Sequence, residues 1–341
     1  MLTHAVTVSR TPDEPGASII MPRIFVYEFI SGGGMWATDN APSGSLLAEG
    51  GAMRSYLAED FLACGCDVVT TRDSRLPASE PNAADVRLIS SSQDDRSAIQ
   101  ELAAESDWTL LIAPEFDKHL CNRVRMVEEA GALLLGLNSD STSLFANKQQ
   151  TSDWLSERGF FVPTGLTCEP SSPLPHQLPL PVVCKPIDGA GSIGITTVNT
   201  PDQWQPSTVS QRVELLVNGQ AVSTTIVCGP NRKHILPCVA QSLSNDGQFR
   251  YLGGEVPVPR SLADRAERTA WSFADHLEPG VRGFVGIDMV VGDKVVIVDV
   301  NPRPTTSYVG LRKVCKSNLA EATLKDVELE FDLTNRVRFS T

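Results

Sequence analysis

The chain has 341 residues, of which 41% are hydrophobic and 21% charged, an ordinary composition for a globular protein of two or three domains. Its 41 acidic and 29 basic side chains give a net charge of −12, which argues against a nucleic-acid partner because such partners select basic surfaces. We expect no membrane partner and a cytoplasmic location, since no long apolar run or charged-then-apolar leader occurs. The eight cysteines lack zinc-site spacing and are expected to be reduced thiols.

The first part of the chain alternates between strand-like and helix-like patterns. Residues 1–21 are polar and aperiodic, and we expect a disordered extension there. Residues 22–137 contain apolar runs typical of strands, separated by amphipathic stretches typical of helices. Such alternation predicts an α/β domain with a parallel sheet covered by helices. The expected strands lie at 24–29, 67–71, 86–90 and 108–113, and the expected helices at 49–63, 97–105 and 119–130.

The second part of the chain has a different character. An amphipathic helix is expected at 141–158, and a proline-rich connector follows at 174–181. Short strand patterns then dominate, interrupted by one long helix at 261–277, which predicts an α+β region with a largely antiparallel sheet. We divide this part into a small subdomain at 138–210, a larger subdomain at 211–330 and a tail at 331–341.

Residues 284–303 predict a β-hairpin that carries three oxygen ligands. Two apolar runs flank Gly292-Asp293, a pair that suits a two-residue type II′ turn. In that register Asp288 and Asp299 are diagonal cross-strand neighbours, and Asn301 projects from the same face. Two carboxylates and an amide suit Mg²⁺ or Mn²⁺, usually bound together with substrate phosphates. A solvated face on an edge hairpin is the alternative interpretation.

A glycine-rich segment joins two other apolar runs. Gly189, Gly191 and Gly194 match the GxGxxG pattern of dinucleotide-binding proteins, which would indicate a nicotinamide oxidoreductase. The β-branched run that follows, however, predicts a strand where that pattern needs a helix. We therefore interpret the segment, including Ser192, as a hairpin lid whose backbone N–H groups close over phosphates. A mobile surface loop is the alternative.

Two lysines and a glutamate complete the expected nucleotide site. Lys185 ends an apolar strand before the lid and is either a snorkelling edge residue or a cation directed at phosphates. Lys148 lies in the expected helix at 141–158, where an exposed helical lysine is the alternative. Glu214 opens an apolar strand before an Asn-Gly turn, where it suits the edge of an adenine ring, and a surface glutamate is its alternative.

Other residues are candidates for the substrate site. A run of small residues after the first strand leaves backbone N–H groups free to hold a carboxylate, unless it is only a turn that needs glycine. Glu28 and Glu49 are candidates to face an amine, and ordinary buried or surface acids are the alternative. Thr305 follows the strand expected to hold the metal and suits an acceptor site, and a plain loop is its alternative. The run of small residues consists of Ser31, Gly32, Gly33 and Gly34.

The order of these motifs over residues 22–325 resembles the ATP-grasp superfamily of carboxylate–amine and carboxylate–thiol ligases. The resemblance implies a pre-ATP-grasp domain at 22–137, followed by a two-part ATP-grasp fold with the lid at 138–210 and the metal site at 211–330. It also implies ATP and Mg²⁺ as cofactors, with a small-molecule carboxylate and an amine as substrates.

The resemblance assigns a role to each motif residue. By this resemblance the phosphates are contacted by Lys148 and Lys185 and covered by the lid residues Gly189, Gly191, Ser192 and Gly194. Adenine lies against Glu214 and the backbone of Leu216. The metal is held by Asp288, Asp299 and Asn301, and Arg303 contacts a phosphate or the acyl phosphate. Two departures stand out. Asp299 replaces the glutamate of most members, and Ala221 replaces the acid that often holds the ribose.

Four segments also resemble the tyramine–glutamate ligases of methanofuran biosynthesis and their bacterial relatives: 27–34, 49–53, 251–255 and 301–312. The resulting hypothesis is a ligase in which Lys185 and Arg303 are catalytic, joining glutamate to tyramine in a cofactor pathway of one-carbon metabolism. An ATP-grasp ligase for other amino acids and a non-catalytic ATP-binding module are the alternatives. A homodimer is expected by analogy with such ligases.

Overall fold

The structure, a computed structural model, describes residues 21–38 and 40–340 in three sheets with their covering helices. Apart from Met21, the expected disordered extension at 1–21 lies outside the described residues. None of the helices in the described ranges is both long and apolar enough to cross a membrane.

The first sheet is parallel, with strand order β3-β2-β1-β4. Ile24 and Val26 of β1 pack on one side of it, whereas Phe25 and Tyr27 pack on the other, so helices cover both faces. The expected α/β domain is therefore confirmed. Its elements are β1 (Arg23–Glu28), α1 (Phe29–Gly32), α2 (Ser45–Ala63), β2 (Asp67–Asp73), β3 (Asp85–Ile89), α3 (Ser92–Ala104), β4 (Trp108–Ile112) and α4 (His119–Glu129).

The second sheet is antiparallel, with strand order β5-β8-β6-β7. The single helix expected at 141–158 is wrong, because Asn147 leaves the helical conformation and accepts hydrogen bonds from the N–H groups of Gln149 and Gln150. The elements are α5 (Ser139–Ala146), α6 (Lys148–Glu157), β5 (Gly165–Cys168), β6 (Val182–Pro186), β7 (Thr196–Val198) and β8 (Gln211–Leu215).

The third sheet has seven antiparallel strands, in the order β14-β13-β9-β11-β12-β15 with β10 beside β9. The long amphipathic helix α7 packs Ala270 and Phe273 against Val285 and Ile287 of β13, which lies between β14 and β9. The elements are β9 (Gln220–Cys228), β10 (Lys233–Ile235), β11 (Val239–Leu243), β12 (Tyr251–Val256), α7 (Arg260–Ala274), β13 (Gly283–Val291), β14 (Val295–Asn301), α8 (Ser307–Val314), α9 (Glu321–Leu324) and β15 (Val337–Phe339).

Two expected boundaries divide elements that belong together. The boundary at 210/211 separates β8 from its partners β5 and β6, so we propose that the small subdomain extends through β8. The expected tail at 331–341 contributes β15, which pairs with β12 and forms the edge of the third sheet.

The hairpin expected at 284–303 is confirmed as β13 and β14, but its expected register is wrong. The turn has three residues rather than two, so that Val291 pairs with Val295. A bulge at Val298 then places Asp288 directly opposite Asp299, not on a diagonal. The two carboxylates are consequently closer neighbours than the sequence pattern alone implied.

A buried ionic cluster fastens α2 to α8. The Tyr308 hydroxyl donates to Asp60 at 2.5 Å, and the Arg312 guanidinium donates to both oxygens of the same carboxylate at 2.6 and 3.1 Å. We expect Asp60→Asn to lower the free energy of unfolding by about 3 kcal/mol, because it removes the buried anion that Tyr308 and Arg312 share. Urea denaturation followed by circular dichroism measures this difference.

The adjacent Glu59→Gln provides the matched control. Glu59 also pairs with Arg312, at 3.2 Å, but its side chain is 43% exposed. Its replacement should change the free energy of unfolding by less than about 1 kcal/mol. Equal destabilisation by the two substitutions would contradict a buried role for the Asp60 carboxylate.

Candidate active site

A cavity of about 520 Å³ opens where the three sheets approach one another. Its walls come from α2, the segment after β4, the lid between β6 and β7, the chain after β8, and the facing strands β13 and β14. Most of the predicted site residues line this one cavity. They are Lys148, Lys185, Gly189, Gly191, Ser192, Glu214, Leu216, Asp288, Asp299, Asn301, Arg303 and Thr305.

The opposed pair Asp288 and Asp299 forms the acidic floor of the cavity. Asp288 accepts hydrogen bonds from the side-chain amides of Gln241 at 2.9 Å and Asn301 at 3.1 Å. Burial, together with the charge of Asp299, raises the pKa of Asp288 to about 6. Two carboxylates that repel one another in a desolvated cleft, beside an amide oxygen, fit a divalent cation.

The protein donors of this floor are few. In the described part of the chain, no group of three His, Cys, Asp or Glu side chains is arranged to hold a metal ion. A cation here would depend on the two aspartates, Asn301 and oxygen atoms of a bound ligand. Mg²⁺ is usually held in this way, by one or two carboxylates plus substrate phosphates and water.

Lys148 begins helix α6 and points its amine into the cavity. Its Nζ lies 3.1 Å from both carboxylate oxygens of Asp299, and the side chain is only 8% exposed. Burial alone would lower the pKa of Lys148, but the charge and hydrogen bonds of Asp299 raise it above its ordinary value. This amine therefore stays charged beside Asp299, and the exposed-helix alternative is wrong.

Lys185 is the penultimate residue of β6, just before the lid, and a buried network fixes its amine. Its Nζ lies 2.5 Å from Glu214 and donates to the carbonyl of Val298 at 3.2 Å. The other Glu214 oxygen accepts from Arg212 at 2.8 Å, and Arg212 also donates to Gln149 at 2.5 Å. The Glu214 carboxylate therefore holds two cations, which differs from the adenine-facing acceptor expected from the resemblance. The backbone N–H of Leu216 donates to the carbonyl of Pro181 at 3.3 Å.

The glycine segment is a hairpin loop between the antiparallel strands β6 and β7. The dinucleotide-binding alternative is wrong, because that pattern requires a strand followed by a helix. Gly191 and Gly194 have φ of 60° and 73°, which favours glycine, and a Cβ at Gly194 would lie 2.8 Å from Pro186. The Ser192 hydroxyl donates to the carbonyl of Phe249 at 2.8 Å, so the lid contacts the β11–β12 loop across the cleft.

Arg303 is held by a residue that sequence reasoning missed. Its guanidinium donates to both oxygens of Glu115 at 2.8 and 3.1 Å, in a pair with side-chain exposures of 13% and 6%. Glu115 follows β4, at the carboxyl end of a parallel strand, which is where α/β folds place functional side chains. An acidic residue just after a predicted parallel strand was the signal in the sequence that could have identified Glu115 as a candidate site residue. The pair joins the segment after β4 of the first sheet to the segment after β14 of the third.

The run of small residues after β1 does not behave as expected. The Glu28 side chain accepts from the N–H of Ser31 at 2.6 Å, and the N–H groups of Gly33 and Gly34 donate to the carbonyl of Phe29. These N–H groups are therefore not free to hold a carboxylate, and the expectation is wrong for them. Ser31, Gly32, Gly33, Gly34 and also Gly194 are not among the described residues that line the cavity.

Two family models match the chain. Residues 66–142 match the pre ATP-grasp 3 domain and residues 145–307 the ATP-grasp domain. The arrangement of a parallel-sheet domain before two antiparallel sheets agrees with this assignment. The chain belongs to the ATP-grasp superfamily and, within it, to the ATP-dependent ligases.

Similar proteins include two tyramine–L-glutamate ligases. The one from Methanocaldococcus fervens is 28% identical over 68% of this chain and 69% of its own length. The one from Methanocaldococcus jannaschii is 26% identical over 66% of this chain and 64% of its own length.

Solved structures share the fold. A putative ATP-grasp superfamily protein from Archaeoglobus fulgidus matches with a TM-score of 0.68 and 21% identity, over 88% of this chain and 87% of its own. An ADP complex of N5-carboxyaminoimidazole ribonucleotide synthetase matches with a TM-score of 0.71 and 21% identity, over 94% of this chain and 82% of its own.

Proposed function

We propose that this chain forms an amide bond between a carboxylate and an amine, with conversion of ATP to ADP and phosphate through an acyl phosphate. The observation that carries the proposal is the shared cleft. Lys148, Lys185 and Arg303 each lie beside a carboxylate partner there, and the opposed pair Asp288 and Asp299 forms the floor. Such fixed charges suit phosphoryl transfer, in which catalysis is mainly positioning and charge stabilisation.

In this proposal the charged residues have separate tasks. Asp288, Asp299 and Asn301 would hold Mg²⁺, which supplies neutralisation of the triphosphate charge when it is bound. The amines of Lys148 and Lys185 contact phosphate oxygens from the side of the second sheet. Arg303, oriented by Glu115, contacts the group in transfer.

The chemistry then takes two steps. An oxygen of the substrate carboxylate attacks the γ-phosphorus, the bond from that phosphorus to the bridging oxygen of ADP breaks, and an acyl phosphate forms. The amine nitrogen next attacks the acyl carbon, phosphate leaves with the carbon–oxygen bond pair, and the nitrogen loses a proton. Arg303 and the lid N–H groups stabilise the oxyanion of this second step.

The lid has to exclude water because an acyl phosphate hydrolyses readily. The contact between Ser192 and Phe249, across the cleft, supports this task. The names of the two sequence relatives favour glutamate as the carboxylate and tyramine as the amine. An ATP-grasp ligase with other amino-acid substrates is the second candidate, because the alignments leave about a third of each relative unmatched.

A coupled assay of ADP formation over a matrix of amino acids and amines, with products identified by mass spectrometry, tests the proposal. We expect ADP formation that requires both a carboxylate and an amine, with glutamate plus tyramine among the active pairs. Activity only with unrelated pairs would remove the tyramine–glutamate assignment. Binding of Mg·ATP without any substrate-dependent ADP would favour the non-catalytic ATP-binding module.

A further inference from the structure

The cavity holds more carboxylates than its cations use. Each cationic side chain of the candidate active site has its own carboxylate partner. Two further glutamates, Glu28 and Glu49, line the same cavity. Glu28 is fully engaged, since its oxygens accept from the N–H of Ile30 at 2.9 Å and from the N–H and hydroxyl of Ser31 at 2.6 Å each. Asp288 has the two amide donors of Gln241 and Asn301, so Glu49 is the carboxylate left over.

Glu49 lies on α2 with an open oxygen. Its Oε2 accepts from the Thr306 hydroxyl at 3.1 Å. Within residues 21–38 and 40–340, its Oε1 has no hydrogen-bond donor and the carboxylate no ion-pair partner. Burial raises the pKa of Glu49, against the opposing influence of Thr306 and the charge of Arg303. A desolvated carboxylate with a free oxygen favours a ligand that brings a cation or a donor.

Two unpartnered hydroxyl groups lie on neighbouring walls of the cavity. The Tyr251 and Thr305 side-chain oxygens are buried without a hydrogen-bond partner among the described residues, and both side chains line the cavity. Burial raises the pKa of Tyr251, and the charges of Asp288 and Glu49 add to the effect. Buried polar groups in folded proteins are normally satisfied, which points to a missing ligand.

The walls around Glu49 are apolar. Leu46 and Met53 lie three and four residues from Glu49 on α2, hence on the same helical face, and Ile112 at the end of β4 also lines the cavity. Every cationic side chain in the lining is a phosphate or acyl-phosphate contact in the proposed function. None is left for the carboxylate of an amino-acid acceptor.

We propose that Glu49, with the Tyr251 hydroxyl in the same cavity, binds the nitrogen of an acceptor amine that has an apolar body and no carboxylate. This inference rests on the proposed function and names the acceptor class of the same site. The Glu49 carboxylate would repel the carboxylate of an amino acid at this position. The protein should therefore select tyramine over tyrosine.

Steady-state kinetics with ATP, glutamate and tyramine test the inference. We expect Glu49→Gln to raise the KM for tyramine at least about 20-fold, because the charged hydrogen bond between the carboxylate and the amine is lost. The KM for ATP should change less than about twofold, because Glu49 does not contact ATP in this proposal. Glu49→Asp should recover part of the loss. Tyr251→Phe, an independent variant, should raise the same constant about fivefold.

Glu59→Gln is the matched control, since it removes the same charge from the same helix outside the cavity, and its KM for tyramine should equal that of the wild type.

The wild type should prefer tyramine to tyrosine by at least about 100-fold in kcat/KM, and Glu49→Gln should lower that ratio. Turnover by Glu49→Gln with an unchanged tyramine KM would overturn the inference while leaving the proposed function intact.

Calorimetric titration of tyramine into the wild type with Mg²⁺ and a non-hydrolysable ATP analogue separates the two claims further. If the wild type binds tyramine but forms no ADP, and Glu49→Gln does not bind tyramine, the amine site would be supported and the ligase reaction refuted. ADP formation with tyrosine as efficient as with tyramine would overturn the acceptor class. If the wild type binds none of the amines of the substrate matrix, the amine site itself would be overturned.

Discussion

Asp299→Asn is expected to lower kcat/KM for Mg·ATP about a thousandfold. The substitution keeps the size of the side chain but removes one of the two opposed carboxylates, as well as the partner of Lys148. Loss of several kcal/mol of metal-mediated charge stabilisation corresponds to a factor of this size. The coupled ADP assay at varied Mg²⁺ concentration measures the effect, and the rise in melting temperature caused by Mg²⁺ with ATP should also be lost.

Asp293→Asn is the matched control for this prediction. Asp293 lies in the turn of the same hairpin and is exposed. Its replacement should leave ADP formation unchanged. Turnover by Asp299→Asn within about threefold of the wild type would refute the metal assignment, because a carboxylate ligand cannot be lost at so small a cost.

Arg303→Met should lower kcat about 100- to 1000-fold, the range found when one fixed donor to a developing oxyanion is removed. Glu115→Gln should lower kcat by a smaller factor, about 10- to 100-fold, because it leaves the guanidinium present but no longer held bidentately. The ADP assay with saturating substrates measures both, and melting temperatures separate lost catalysis from lost folding.

Arg87→Met is a suitable control for the loss of an arginine, since this side chain is 44% exposed and pairs only on the surface. It should behave as the wild type. A larger loss of kcat in Glu115→Gln than in Arg303→Met would contradict the assignment of Glu115 as the residue that positions Arg303. A positioning residue cannot contribute more to kcat than the group it positions.

The general fold was predictable because its signal is local. The alternation of apolar strands and amphipathic helices before residue 137, followed by short strands, is enough to separate a parallel layer from antiparallel ones. The register of β13 and β14 was not predictable in the same way. Apolar side chains occupy both faces of β14, so a shift caused by the three-residue turn and the Val298 bulge does not expose an apolar face.

For the charged residues of the site, too, local sequence patterns were informative, whereas contacts between distant positions were not predictable. The placement of Asp288, Asp299 and Lys185 in one cleft was predictable from residue type, strand position and neighbouring motif. The partnership of Glu115 with Arg303 spans 188 positions, and no local pattern encodes a contact at that separation. Likewise, the Glu214 carboxylate holds Lys185 and Arg212, a role that depends on the pairing of β6 with β8.

Transfer of ¹⁸O from the carboxylate to phosphate tests the central claim most directly. The active carboxylate of the substrate matrix, beginning with glutamate, is labelled in both carboxyl oxygens and converted with its amine partner, and the released phosphate is analysed by mass spectrometry. An acyl-phosphate route places one labelled oxygen in the phosphate for each amide bond formed. Unlabelled phosphate alongside labelled amide product would show that the γ-phosphoryl group never joined the carboxylate.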